Sequence, residues 1–135
     1  MFSSIYSADV AGMEARLICI EADVHDGLPV FDMVGYLASA VKEARERVRI
    51  AIRNMGVHFP AKRITVNLSP ANLRKEGTSF DLPIAISLLT AFGFLSTECT
   101  KDILIIGELG LDGSLRPVKG VLAMILEGRR QGIRR

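Results

Sequence analysis

Apolar and polar positions alternate from the first residues of the chain. Phe2 to Val10 reads as a loosely alternating strand, Ala11-Gly12 as a turn, and Glu14 to Val24 as a second strand carrying Leu17, Ile18 and Ile20. His25-Asp26-Gly27 is a stronger turn, because Asp-Gly tolerates the positive φ of a tight hairpin. Leu28 to Val34 reads as a third strand ending at Gly35. This opening stretch therefore predicts a β-meander.

The period then changes. Val41, Ala44, Val48, Ala51, Ile52 and Met55 recur at helical spacing, with Ser39 as candidate N-cap and Gly56 where a glycine stop belongs. Arg63 to Leu68 alternates and is β-branched, which predicts a strand, and Ser69 to Phe80 is a polar loop. A helix follows over Asp81 to Phe92, with Pro83 tolerated in its first turn and Gly93 at its end. Ile103 to Ile106 reads as a short strand, and Gly107 to Arg116 as a hairpin around Asp112-Gly113. Val118 to Gln131 reads as a last amphipathic helix, and Gly132-Ile133 as the start of a new strand. The order βββ-α-β-α-β-β-α predicts an α+β sandwich with helices on one face of a mixed sheet.

The length of 135 residues fits one domain, enough to bury roughly two thirds of the unfolded surface without a disulfide or metal. Hydrophobic residues at 49% and charged residues at 24% exclude disordered, collagen-like and disulfide-scaffold classes. A net charge of +2 is too small to dictate a nucleic-acid or membrane partner. Cys19 and Cys99 form no CxxC or Cys/His cluster and fit a reducing compartment. Asp9 and Glu14 interrupt any signal-peptide pattern, and the apolar run Leu82 to Leu95 is shorter than the ~20 residues of a membrane span. The expectation is a cytoplasmic protein with no membrane partner.

The richest chemistry lies in the loop from Asn67 to Asp81. Thr78, Ser79 and Asp81 can cap the helix that follows, its free amides can meet an anion, and Arg74 and Lys75 stand just before them. Three readings compete: a capped helix under a solvated basic loop, a ligand or partner surface, and catalysis by Ser79. A Walker loop is excluded, because Lys75 precedes Gly77. Gly107, Gly110 and Gly113 read as hairpin glycines. On the first helix, Lys42 and Glu46 can pair, while Arg45, Arg49 and Arg53 form a stripe that suits either solvent or a nucleic-acid or acidic partner. With two tyrosines and no tryptophan, no base-stacking platform is in view. Glu21, Asp23 and His25 share one strand face, as an outer polar face or a hard divalent-ion site.

Several longer runs together resemble one family. They are Gly27-Leu-Pro-Val-Phe-Asp-Met-Val-Gly35, Ser39-Ala-Val-Lys-Glu-Ala-Arg-Glu-Arg-Val48, Pro60-Ala-Lys-Arg-Ile-Thr-Val-Asn-Leu-Ser-Pro70, Leu73-Arg-Lys-Glu-Gly-Thr-Ser-Phe-Asp-Leu-Pro83, and Gly107-Glu-Leu-Gly-Leu-Asp-Gly113 with Arg116-Pro117. They look like the N-terminal domain of the YifB/ComM family of Mg-chelatase-like AAA+ ATPases. The resemblance implies a two-layer α/β fold like the Lon protease domain, shared with a small-subunit ribosomal protein. It also implies that Ser79 stands where the Lon nucleophile falls, and that apolar Leu122 and Met124 stand where the partner lysine is expected, with Lys119 earlier in the chain. A serine without an adjacent base is a weak nucleophile, so no peptidase activity is expected.

The expected function is a non-catalytic accessory domain over residues 1–135, a fragment of a longer ATPase. It would assist ring assembly or contact DNA or a partner in DNA processing (branch migration in natural transformation). The surfaces expected to do this are Arg45, Arg49, Arg53, Arg74 and Lys75. By the same resemblance, ATP and Mg2+ belong to the parent protein, no cofactor or metal to this stretch, and the partners are the AAA+ domain of the same polypeptide and a ring-forming homo-oligomer. A divergent Ser/Lys peptidase and a pure oligomerisation module are the alternatives.

Overall fold

In the computed structural model, which describes every residue from Met1 to Arg135, the first two predicted strands form a long antiparallel hairpin. Strand β1 spans Phe2–Ala11 and β2 spans Glu14–His25. Their register sets Ile5 opposite Ile20 and Ser7 opposite Ile18. The even-numbered residues Ile18, Ile20, Ala22 and Val24 of β2 are buried in the core, as period-two alternation requires.

The meander is not formed. Strand β3 (Val30–Val34) does not pair with β2; strand β4 (Arg63–Ser69) inserts between them, giving the order β1-β2-β4-β3. β4 runs antiparallel to β2 and parallel to β3. Parallel neighbours need a crossover, and the first helical segment supplies it. Burial explains the exchange: Ile64, Val66 and Leu68 of β4 are fully buried opposite Val24, Ala22 and Ile20, whereas β3 carries no buried residue and suits an edge.

The helix predicted from Ser39 runs as two pieces, α1 (Ser39–Lys42) and α2 (Ala44–Asn54), with Glu43 at the joint. Ser39 is the first helical residue and Ala38 the N-cap, so Ser39 caps nothing. Near the joint the Ala40 carbonyl accepts from Arg47 Nη2 at 3.0 Å. α2 buries Ala44, Val48, Ala51 and Ile52 in the core, packing beside α3, as its spacing predicts. Helix α3 (Asp81–Ala91) is apolar nearly all round and lies at the centre, against β1, β2 and α2. Its Ser87 and Thr90 hydroxyls are satisfied within the helix, donating to the Ile84 and Ile86 carbonyls.

The hairpin predicted at Asp112-Gly113 joins two short strands, β5 (Glu108–Leu109) and β6 (Leu115–Arg116). Ile103 to Ile106 is not a full strand; it makes one parallel bridge, Tyr6 with Leu104, along the free side of β1. The last helix, α4, spans Val121–Arg130 and starts three residues later than expected. Gly120 precedes it at φ 81°, and a Cβ there would lie 2.7 Å from Val10 Cγ2, so the chain threads past β1 before it coils.

α4 packs on β1 and β2 beside Val10 and Leu17, residues of opposite parity to the core set. The consecutive burial of Ser7, Ala8 and Asp9 records this: both sheet faces are covered there. The α+β class and the main sandwich hold, with this one helix on the second face. Gly132 is not the start of a strand. Its N–H donates to the Arg129 carbonyl and that of Ile133 to Gly128, the double bond that closes a helix on a left-handed glycine.

Candidate functional site

The loop between β4 and α3 is held from both sides. On one side, Asp9 and Arg16 face each other across the β1–β2 hairpin and form two short bonds, 2.9 and 2.7 Å. Asp9 also accepts from the Glu76 amide at 2.9 Å, and Arg16 Nη2 donates to the Arg74 carbonyl at 2.5 Å. On the other side, the Lys75 amide donates to Tyr36 and its carbonyl accepts from Ala38. The loop is thus laced into two elements that lie far from it in sequence.

This placement overturns one expectation. Lys75 is fully buried, its ammonium donating to the Pro70 carbonyl, so it is not part of a solvated basic loop. Burial pushes its pKa below the usual lysine value, and the nearby Arg16 charge pushes in the same direction. Arg74 remains exposed and pairs with Glu76 at 3.1 Å.

The end of the loop is fixed by a second buried carboxylate. Asp81 is 0% exposed. It accepts from Arg47 Nε and Nη2 at 2.7 and 3.0 Å and from the Leu109 amide at 3.0 Å. Burial raises the Asp81 pKa despite the opposing pull of Arg47 and the Leu109 N–H. The Gly107 amide donates to the Ser79 carbonyl, and the Gly107 carbonyl accepts from Leu82. Two distant segments, α2 and the stretch Gly107 to Leu109 that includes β5, therefore lock the N-terminus of α3.

Those bonds also answer the capping question. Thr78, Ser79 and Asp81 make no side-chain cap; Phe80 occupies the N-cap position. Two of the amides expected to await an anion are committed as well. Leu82 donates to Gly107, Ile84 to Phe80, and Pro83 has no N–H.

Ser79 borders a cleft of about 500 Å3 with Glu76, Glu108, Lys119 and Met124. The residue is 3% exposed, and its hydroxyl donates to the Ala8 carbonyl at 2.8 Å. A carbonyl accepts that proton without being able to remove it. Of the two positions expected to be apolar, Met124 is buried and lines the cleft, whereas Leu122 is 71% exposed and does not. Lys119, which stands earlier in the chain than those two positions, lines the same cleft as Ser79.

The other candidates stand elsewhere. Arg45, Arg49 and Arg53 lie on α2; Arg45 Nη1 reaches the Phe31 carbonyl at 3.3 Å, and Arg49 pairs with Glu46 at 2.5 Å in place of the expected Lys42–Glu46 pair. Glu21, Asp23 and His25 do not converge: Glu21 accepts from Asn67 at 2.9 Å, and Asp23 pairs with His25 at 3.0 Å. No helix is long and apolar enough to cross a membrane.

The sequence reading missed Asp9–Arg16 and Arg47–Asp81. The first pair was within reach, because a hairpin turning at Gly12 sets residue 9 opposite residue 16. The second was not, since only the packing of α2 on α3 brings Arg47 to Asp81.

Comparison with known proteins bears on this fold and loop. Residues 20–135 match the family described as subunit ChlI of Mg-chelatase. The chain is 45% identical over 128 residues to the uncharacterized protein YifB of Salmonella typhimurium and 46% identical over 126 residues to the competence protein ComM of Haemophilus influenzae. Those alignments cover 95% and 93% of this chain and 25% of each relative, so the chain spans about a quarter of their length. A Lon protease of Mycolicibacterium smegmatis is 27% identical over 132 residues, 92% of this chain and 16% of that protein. The chain belongs to the family of the ChlI subunit of Mg-chelatase, and YifB and ComM are among its relatives.

Proposed function

We propose that this domain acts by contact rather than by chemistry. In this reading it is an accessory domain of a ComM-type AAA+ protein in DNA processing, with DNA or a partner protein meeting its exposed arginines, Arg45, Arg49, Arg53 and Arg74. The AAA+ domain of the same polypeptide, a ring of identical subunits, and ATP with Mg2+ belong to the parent protein in the same reading. The observation that carries it is the state of Ser79, the residue in the nucleophile position: buried, its proton directed at the Ala8 carbonyl, with no base among its hydrogen-bond partners.

One observation favours a second reading. Lys119 shares the cleft with Ser79, as a Ser/Lys peptidase needs. Incubation of the chain with casein separates the two. The expected result is no hydrolysis by the parent chain or by Ser79→Ala. Hydrolysis by the parent that Ser79→Ala abolishes would overturn the contact reading.

A further inference from the structure

The open edge of the sheet carries an interaction surface of its own. β3 pairs only with β4, and none of its backbone groups hydrogen-bonds to any other segment's backbone. One side of the strand thus presents N–H and C=O groups that no backbone partner takes, although the Phe31 carbonyl accepts from Arg45 Nη1 at 3.3 Å, and this is the arrangement that accepts an added strand. Exposed Leu28 stands before the strand, Val34 at its end and Tyr36 just beyond.

A groove of about 420 Å3 runs between this strand and α2. Arg45, Arg49 and Lys62 line it, against Asp32 and Glu46. Two of these cations are held only by exposed partners: Arg49 by Glu46 at 2.5 Å and Lys62 by Asp26 at 3.2 Å. Surface pairs of this kind contribute little and exchange readily for another carboxylate. Arg45 lies across the strand itself, on the Phe31 carbonyl.

We propose that the β3 edge docks an extended, acidic segment of a partner protein, which adds a strand beside β3 and places its carboxylates on Arg45, Arg49 and Lys62. The inference rests on the contact reading above and names the partner class for the α2 arginines. The observations favour a peptide over the other occupants. A nucleic acid offers no counterpart to the strand's amides. The local rings are also engaged, Phe31 stacked on Phe59 at 5.9 Å and Phe59 edge-on to Phe92 at 5.5 Å, which leaves no platform for bases. A second copy of the chain would bring the same cations to the same edge, a like-charge encounter.

The test is a titration of the chain, by fluorescence anisotropy at low salt, with a labelled synthetic peptide of about eight residues alternating valine and glutamate. Saturable binding is expected, weakened by about tenfold or more in the Arg45→Glu/Arg49→Glu double variant, whose fold is checked by circular dichroism. Peptides N-methylated at alternate amides separate strand addition from charge attraction. One methylation pattern should abolish binding and the complementary pattern should leave it within about twofold, because only one edge of an added strand bonds β3. Absence of binding overturns the proposal. So does equal binding of a valine–lysine peptide, indifference to both methylation patterns, or displacement of the peptide by a stoichiometric amount of oligothymidine. If the peptide fails while casein stays intact, this inference falls and the contact reading stands. Casein hydrolysis dependent on Ser79 overturns that reading whatever the peptide does.

Discussion

Replacing Arg47 with methionine should be among the more damaging single changes in this domain, and its effect should depend on pH. Asp81 is 0% exposed and takes two of its three hydrogen bonds from Arg47, leaving only the Leu109 amide in the variant. Stranding one member of a buried ion pair costs about 3–5 kcal/mol. The Arg47 side chain is 21% exposed, so water can reach part of the vacated space, and the lower end of that range, about 3 kcal/mol, is expected. Burial already raises the Asp81 pKa, and loss of Arg47 removes the main opposing influence. Between the unfolded value near 3.9 and the raised folded value, the native state holds more protons than the unfolded state, so stability falls as pH rises through that window. The deficit of Arg47→Met should therefore be full at neutral pH and shrink as the medium is acidified toward the unfolded pKa. Adding Asp81→Asn, which keeps an acceptor for the Leu109 amide, should recover most of the loss at neutral pH. Urea denaturation with an unchanged m-value is the assay. A loss below about 1 kcal/mol at neutral pH, or a deficit indifferent to acidification, refutes the argument.

Lys75 gives the opposite slope. Its folded pKa is lowered by burial, so between that value and about 10.4 the unfolded state holds more protons and stability rises with pH. The stability difference between the parent and Lys75→Met should move in the parent's favour as pH is raised through that alkaline window; a flat difference would show that Lys75 is solvated. Gly132→Ala tests the reading of Gly132 as a helix stop. Its φ of 94° disfavours a side chain although no atom crowds the site, so a loss of roughly 1–2 kcal/mol from backbone strain is expected in thermal or urea unfolding. No loss would mean that the end of α4 is free to rearrange.

What could be read from the sequence was what local periodicity controls. The alternation of Ile18, Ile20, Ala22 and Val24 gave β2 its buried face, and the spacing of Ala44, Val48, Ala51 and Ile52 did the same for α2. Gly56 marked a helix end correctly, while Gly132, in the same geometry, suggested a strand only because Ile133 follows it. Pairing partners were less legible. Asp26-Gly27 has the chemistry of a hairpin turn, yet β4 takes the place beside β2: its strict alternation puts Ile64, Val66 and Leu68 on one fully buried face, and that burial outweighs a short local connection. No local pattern announces that competition.

The site shows the same division more sharply. Arg74 and Lys75 are neighbours of equal charge, and composition gives no ground for separating them, yet one is exposed and the other fully buried. The difference comes from β-like pairing of Lys75 with the Tyr36–Ala38 segment, a contact across nearly forty residues that fixes which side chain points inward. Asp9 and Asp81 follow the same logic from opposite sides of the loop, each spending a buried carboxylate on a backbone amide as well as an arginine. Buried ion pairs add little net stability compared with apolar packing, but they tolerate few alternative arrangements. Here they fix the conformation of residues 74 to 81 in a loop that keeps the Ser79 hydroxyl on the Ala8 carbonyl. Two buried carboxylates thus hold the loop in the one conformation that keeps Ser79 on the Ala8 carbonyl, and the contact reading proposed above accordingly looks to the exposed arginines of α2 and to the β3 edge rather than to Ser79.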